Sequence, residues 1–121
     1  MAALVMSFIV ILLFSLARNG FCACSLDNLN IGTYRSGREV GGKPEWNVVV
    51  TNNCNCARNH IVLSCQGFQT VEPVDPAILE KRGDECVVIR GDSLAAGASV
   101  KFSYAWDPPV LMLPKSFSGG C

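Results

Sequence analysis

The sequence predicts an all-β fold: a disulfide-stapled antiparallel β-sandwich of about seven short strands with one short helix. Three observations predict it. Apolar and polar residues alternate in short runs, a pattern that presents one face of each strand to a core. Gly, Asn, Asp and Pro punctuate those runs at intervals mostly too short for the helical crossovers of a parallel sheet. Finally, Cys24, Cys54, Cys56, Cys65, Cys86 and Cys121 follow an apolar leader, the usage expected of a small domain in an oxidising compartment.

With 121 residues the chain has room for one ordinary domain. From Leu4 to Leu16 only Ser7 and Ser15 interrupt an apolar run. That run falls short of the roughly 20 residues a membrane crossing needs, and small residues follow it, so residues 1–23 read as a signal peptide. Ser15-Leu16-Ala17 and Gly20-Phe21-Cys22 both suit the peptidase, which puts cleavage between 17 and 23 and leaves seven or six cysteines. The expected product is a secreted, extracellular domain spanning 24–121, with no membrane attachment once the leader is gone. Ten Lys and Arg balance ten Asp and Glu, and the leader carries only Arg18, so the domain is near neutral. Nucleic acid and acidic membrane surfaces are therefore not expected partners.

Leu29, Ile31 and Thr33 begin the first strand, and the Gly-rich, charged stretch from Ser36 to Pro44 reads as a surface loop. Trp46, Val48 and Val50 alternate with Asn47, Val49 and Thr51 in the second. The cluster Asn52-Asn53-Cys54-Asn55-Cys56 stops it, because asparagine side chains bond nearby backbone. Ile61, Leu63 and Cys65 form a third strand, and Gln66-Gly67 turns the chain into a fourth ending near Val71. Asp75 as cap, Pro76 at the first helical position and Gly83 as stop predict a helix of about two turns over 77–82. Val87 to Ile89 make a further strand. Val100, Phe102, Tyr104 and Trp106 then share one face of the clearest strand, ended by Pro108-Pro109, and Val110 to Leu113 offer a last short one.

The cysteines carry most of the covalent information. Cys54 and Cys56 are poorly placed to bond each other, since alternate residues of an extended strand sit about 7 Å apart. Each is expected to reach a different partner, and fifteen pairings of six cysteines remain open. A zinc site built on Cys54, Cys56 and His60 matches no standard finger spacing, so no metal or cofactor is expected. Catalysis is not expected either. No nucleophile elbow, phosphate loop or metalloprotease spacing occurs, there is one histidine, and Asp84 and Glu85 are adjacent and would point to opposite faces of a strand. Lys81-Arg82 is a possible processing site in a secretory protein, or simply a solvated helix end. Trp46 and Trp106 are candidate ligand-facing aromatics, set against the alternative of ordinary core positions.

Taken together, Cys24-Ser25, the run Val48-Val49-Val50-Thr51-Asn52-Asn53-Cys54, Cys56, the run 61–68, Val74-Asp75-Pro76, Asp84-Glu85-Cys86, Leu94, Gly97 and Phe102-Ser103-Tyr104-Ala105-Trp106 resemble the plant tapetum determinant family. The resemblance covers nearly all of the expected mature chain. It implies a small secreted cysteine-rich signal recognised by a leucine-rich-repeat receptor kinase in specifying anther tapetum fate. It also implies six mature cysteines, which the six beyond Cys22 fit, and a basic pair near Lys81-Arg82. The close Cys54-x-Cys56 spacing and the short leader-to-domain junction depart from the family pattern. The Asn-ended valine strand and the aromatic ladder also look like cellulose-binding sandwich modules, which implies cell-wall glycan as the alternative partner and an exposed Trp46 or Trp106.

Overall fold

The computed structural model describes residues 24–119. The leader and Cys121 lie outside the described residues. Seven strands form two antiparallel sheets. β1 (Leu29–Val40), β2 (Lys43–Asn52) and β6 (Ser99–Ala105) pair in the order β1-β2-β6. β3 (Asn59–Ser64), β4 (Leu79–Arg82), β5 (Glu85–Val88) and β7 (Leu113–Ser118) pair in the order β4-β5-β3-β7.

Alternation decides which face of each strand is buried. Val48 and Val50 of β2 stand beside Phe102 and Val100 of β6 and are buried with them. Their neighbours Asn47, Val49, Lys101 and Ser103 face the other way. From the second sheet, Ile61, Leu63, Cys86, Val88 and Leu79 join the same core. Tyr104 has no exposed surface and meets Phe68 edge to face at 5.3 Å, which ties the long connection 65–78 into the interior. Edge-to-face contact places the positive rim of one ring against the negative face of the other.

Four local expectations are corrected. The Gly-rich stretch 36–44 is not a free loop: β1 continues to Val40 through a bulge between Arg35 and Glu39, and Gly41-Gly42 closes a tight hairpin onto β2. Both glycines have positive φ, 59° and 79°, as a two-residue turn matched to strand twist requires. No helix forms over 77–82. Asp75 does cap a turn, its Oδ1 accepting from Ala77 N at 2.9 Å, but the chain then extends into β4, where Leu79 is buried and all four residues pair with β5. Core burial and a four-residue ladder outweigh a local preference for two helical turns. Near the C-terminus the last strand is Leu113–Ser118 rather than 110–113, and 68–71 forms no strand.

Candidate recognition surface

One end of the sandwich is tied by sulfur and amide groups. Cys24 bonds Cys54 there, whereas Cys65, just past β3, bonds Cys86 of β5 at the other end, where its neighbours Ser64 and Gln66 line a groove. Cys56 is disulfide-bonded too. Cys54 and Cys56 thus do take separate partners, as their spacing required. Asn52, only 1% exposed, is the polar hub of this end. Its Nδ2 donates to the carbonyls of Cys56, Leu94 and Ala95, while its Oδ1 accepts from Cys54 N. The backbone of Asn52 also pairs with Gly97 and Ala98. One buried amide therefore holds the cysteine loop against the 94–97 turn. Buried Arg58 adds a second tie: Nη1 donates to Gly119 O at 2.7 Å and the guanidinium lies 5.0 Å from the centre of the Phe117 ring.

At the opposite end of β2 the indoles meet. Trp46 Nε1 donates to the carbonyl of Trp106 at 2.9 Å. Both rings are half-buried, with Arg35 over Trp46 at 5.6 Å and Lys43 over Trp106 at 5.0 Å. The segment 107–112 arches across this end. Its path is set by Val110 N donating to the buried Tyr104 Oη at 2.8 Å and by burial of Met112. Tyr104's hydroxyl is pushed above its ordinary value by that burial, so it stays protonated and can serve the turn as an uncharged acceptor. Open grooves of about 480 and 380 Å³ flank the arch, the first lined by Trp106, Gln66 and Leu113 among others, the second by Ile31, Trp46 and Met112. Leu111 faces both.

A carboxyl cluster sits beside the indoles. Glu45 is 6% exposed, and its two oxygens accept from Arg38 Nε and Nη2, each at 3.1 Å. Hydrogen bonds from Ser36, then Glu72, then Arg38 hold its carboxyl below the usual range. Glu72, in the 65–78 connection, is pushed up by burial and then by the adjacent Glu45 carboxylate. The charged form is thus favoured at Glu45 and the neutral form at Glu72.

Lys81 and Arg82 are elsewhere, on β4. They are exposed, but both are paired in the ladder with β5. Lys81 Nζ donates to Phe68 O, and Arg82 pairs with Glu80. A protease would have to open that hairpin to read them as an extended substrate. Asp84 lies in the hairpin turn, while Glu85 pairs with Lys115. His60 is exposed at the start of β3. Among the described residues no three His, Cys, Asp or Glu side chains gather as metal ligands would. Sequence reasoning missed the Arg38–Glu45–Glu72 cluster, because the hairpin that joins Arg38 to Glu45 was read as a loop and Glu72 comes from a distant connection. It also read Val110 to Leu113 as a strand, whereas the structure presents Leu111 and Leu113 to solvent, 74% and 51% exposed.

Two antiparallel sheets carrying disulfides, a polar knot at one end and a held apolar arch at the other define a small cysteine-rich β-sandwich. The family model described as Tapetum determinant 1, C-terminal, matches residues 25–119, and the chain belongs to that family. It is similar to TPD1 protein homolog 1 of Arabidopsis thaliana, 31% identical over 85 residues, which cover 68% of this chain and 48% of the relative. TPD1 protein homologs 1A and 1B of Oryza sativa subsp. japonica are 32% and 28% identical, covering 64% and 69% of this chain. The matches span 38% and 50% of those relatives, so the chain corresponds to half of these curated proteins or less. No solved structure matches it significantly.

Proposed function

We propose that this chain is a secreted cysteine-rich signal, read outside the cell by the ectodomain of a plant leucine-rich-repeat receptor kinase and acting in cell-fate specification of the anther-tapetum kind. The observation that carries this reading is the family match across 25–119, nearly the whole described domain. The chemistry agrees with it. The disulfides staple a domain of modest core, each native bridge adding about 2–5 kcal/mol, and a stapled scaffold suits a protein that must act in an oxidising exterior without a partner chain to fold on. Recognition by such a scaffold needs rigid, partly apolar surface rather than a catalytic cleft.

The glycan alternative calls for an indole presented flat and bare to a sugar ring. Each indole here is half-buried and has a cation over it, and Trp46's N–H is already bonded, which does not favour that alternative. Calorimetry of the secreted protein against leucine-rich-repeat receptor ectodomains, beside a pull-down on insoluble cellulose, separates the two. Saturable heat with an ectodomain and none retained by cellulose is expected; binding confined to the polysaccharide would overturn the receptor reading.

A further inference from the structure

We infer that the 107–113 arch is the face by which this protein docks on its receptor, and that the matching partner surface is apolar at its centre and acidic at its edge. The inference rests on the receptor reading above and adds where contact is made and with what chemistry.

Apolar surface on this domain is concentrated there. Leu111 is 74% exposed and Leu113 51%, whereas nearly every other leucine is buried. Leaving one leucine in water forgoes about 2 kcal/mol of burial, and two within three residues serve the isolated fold in no visible way. These side chains are also carried on a held segment. Val110 N is fixed to Tyr104 Oη, Met112 is sunk in the core, and Pro108 and Pro109 restrict the backbone before them. A surface already ordered loses little freedom on binding, the property that separates an energetic anchor from a merely accessible residue.

Charge then selects the partner. No charged side chain lines either groove. At their margin Arg35 and Lys43 stand over the indoles, and among the described residues neither enters an ion pair, in contrast to Arg38, which Glu45 neutralises. Asp107 and Glu39 are exposed acids of this end, also outside the ion pairs among the described residues, but it is Arg35 and Lys43 that stand over Trp46 and Trp106, the rings that line the grooves. A partner offering leucine or phenylalanine into the grooves and Asp or Glu opposite Arg35 and Lys43 would bury the apolar centre and pair both cations at the rim, the usual anatomy of a specific interface.

The test uses the full secreted protein against immobilised leucine-rich-repeat receptor ectodomains. Leu111→Asp should weaken binding at least about 30-fold through loss of a central anchor. The double variant Arg35→Glu with Lys43→Glu should weaken it and flatten its salt dependence. All five side chains compared, including the controls Tyr34→Ala and Lys101→Glu on the outer face of the β1-β2-β6 sheet, reach the surface, and unchanged circular dichroism and denaturation midpoints establish that each variant folds. The controls should bind as the wild type does. Wild-type binding that survives both arch variants, or that only the outer-face controls abolish, overturns the inference and leaves the receptor reading standing. Absence of wild-type binding to every ectodomain overturns the receptor reading, and the docking face with it.

Discussion

Replacing Cys65 and Cys86 together by alanine probes how much of this fold is held by chain constraint rather than packing. The bridge closes a loop of 21 residues in sequence separation. Constraining the unfolded ensemble over such a loop contributes about 3.3 kcal/mol at 25 °C. Both cysteines are fully buried between β3 and β5, so removing two sulfurs adds a packing loss of about 1 kcal/mol each. The expected total is about 5 kcal/mol, against roughly 5–14 kcal/mol for the whole stability of a domain this size. The double variant should therefore lose between about a third and all of its stability, and its denaturation midpoint should fall in proportion. The two contributions separate if Cys65→Val is combined with Cys86→Ala. Valine refills part of the space and should recover about 1 kcal/mol while leaving the constraint unrestored. Equilibrium guanidinium unfolding followed by tryptophan fluorescence measures both variants. A loss below about 2 kcal/mol in the alanine pair, or full recovery with valine, would refute the reasoning.

Other perturbations follow from the same geometry. Asn52→Ala removes a buried amide that serves three carbonyls and one N–H, and should cost about 3 kcal/mol in denaturant unfolding. Tyr104→Phe leaves Val110 N without its acceptor and should cost about 1–2 kcal/mol, with faster amide exchange confined to the arch. Glu72 has a raised folded value, so its contribution is complete below its ordinary 4.5 and lost as pH rises through the raised value; Glu72→Gln should flatten that falling limb. Glu45 has a lowered value and runs the other way: its contribution is present above 4.5 and lost as pH falls through the lowered value, a limb that Glu72→Gln should retain. Thermal midpoints across pH 3 to 8 show both limbs, and identical profiles for wild type and variant would rule out the raised value at Glu72. Peptide mapping of the non-reduced protein is expected to join Cys56 to Cys121, because Gly119 is bonded to Arg58 beside the cysteine loop; a Cys56 peptide joined to any other would exclude it.

The strands that bury one face were legible because alternation directly reports that burial. Val48 with Val50, Ile61 with Leu63, and Val100 with Phe102 and Tyr104 all face the core as the pattern required. What failed was whatever depended on a partner strand. Residues 36–40 carry glycine and charge because β1 is an edge strand with most of this stretch in water, so composition there resembles a loop. Residues 79–82 carry a helix-like preference that pairing with β5 overrides. The cysteines announced a stapled domain, but the pairs of Cys24 with Cys54 and of Cys65 with Cys86 depend on which loops meet, information that spacing does not hold. The tryptophans, singled out as ligand-facing candidates against the alternative of core positions, are half-buried, and their neighbours Leu111, Arg35 and Lys43 could not be assembled around them from sequence, since separate segments supply them.

The division of labour between the two ends follows from the length of β2. Six residues separate Trp46 from Asn52 along an extended strand, about 20 Å at the usual rise. The Asn52 hub, the Cys24–Cys54 bridge and Arg58 therefore hold the domain together at a distance from the arch. Side chains such as Leu111 and Lys43 make none of the hydrogen bonds and carry none of the bridges of that knot. Their replacement costs the fold little. The Cys65–Cys86 bridge, by contrast, lies beside the arch, so the two ends are constrained differently: by a buried amide, an arginine and a disulfide at one, and by a disulfide beside an exposed apolar segment at the other. Side chains of the arch can therefore be exchanged without touching the hydrogen bonds that hold the Asn52 end.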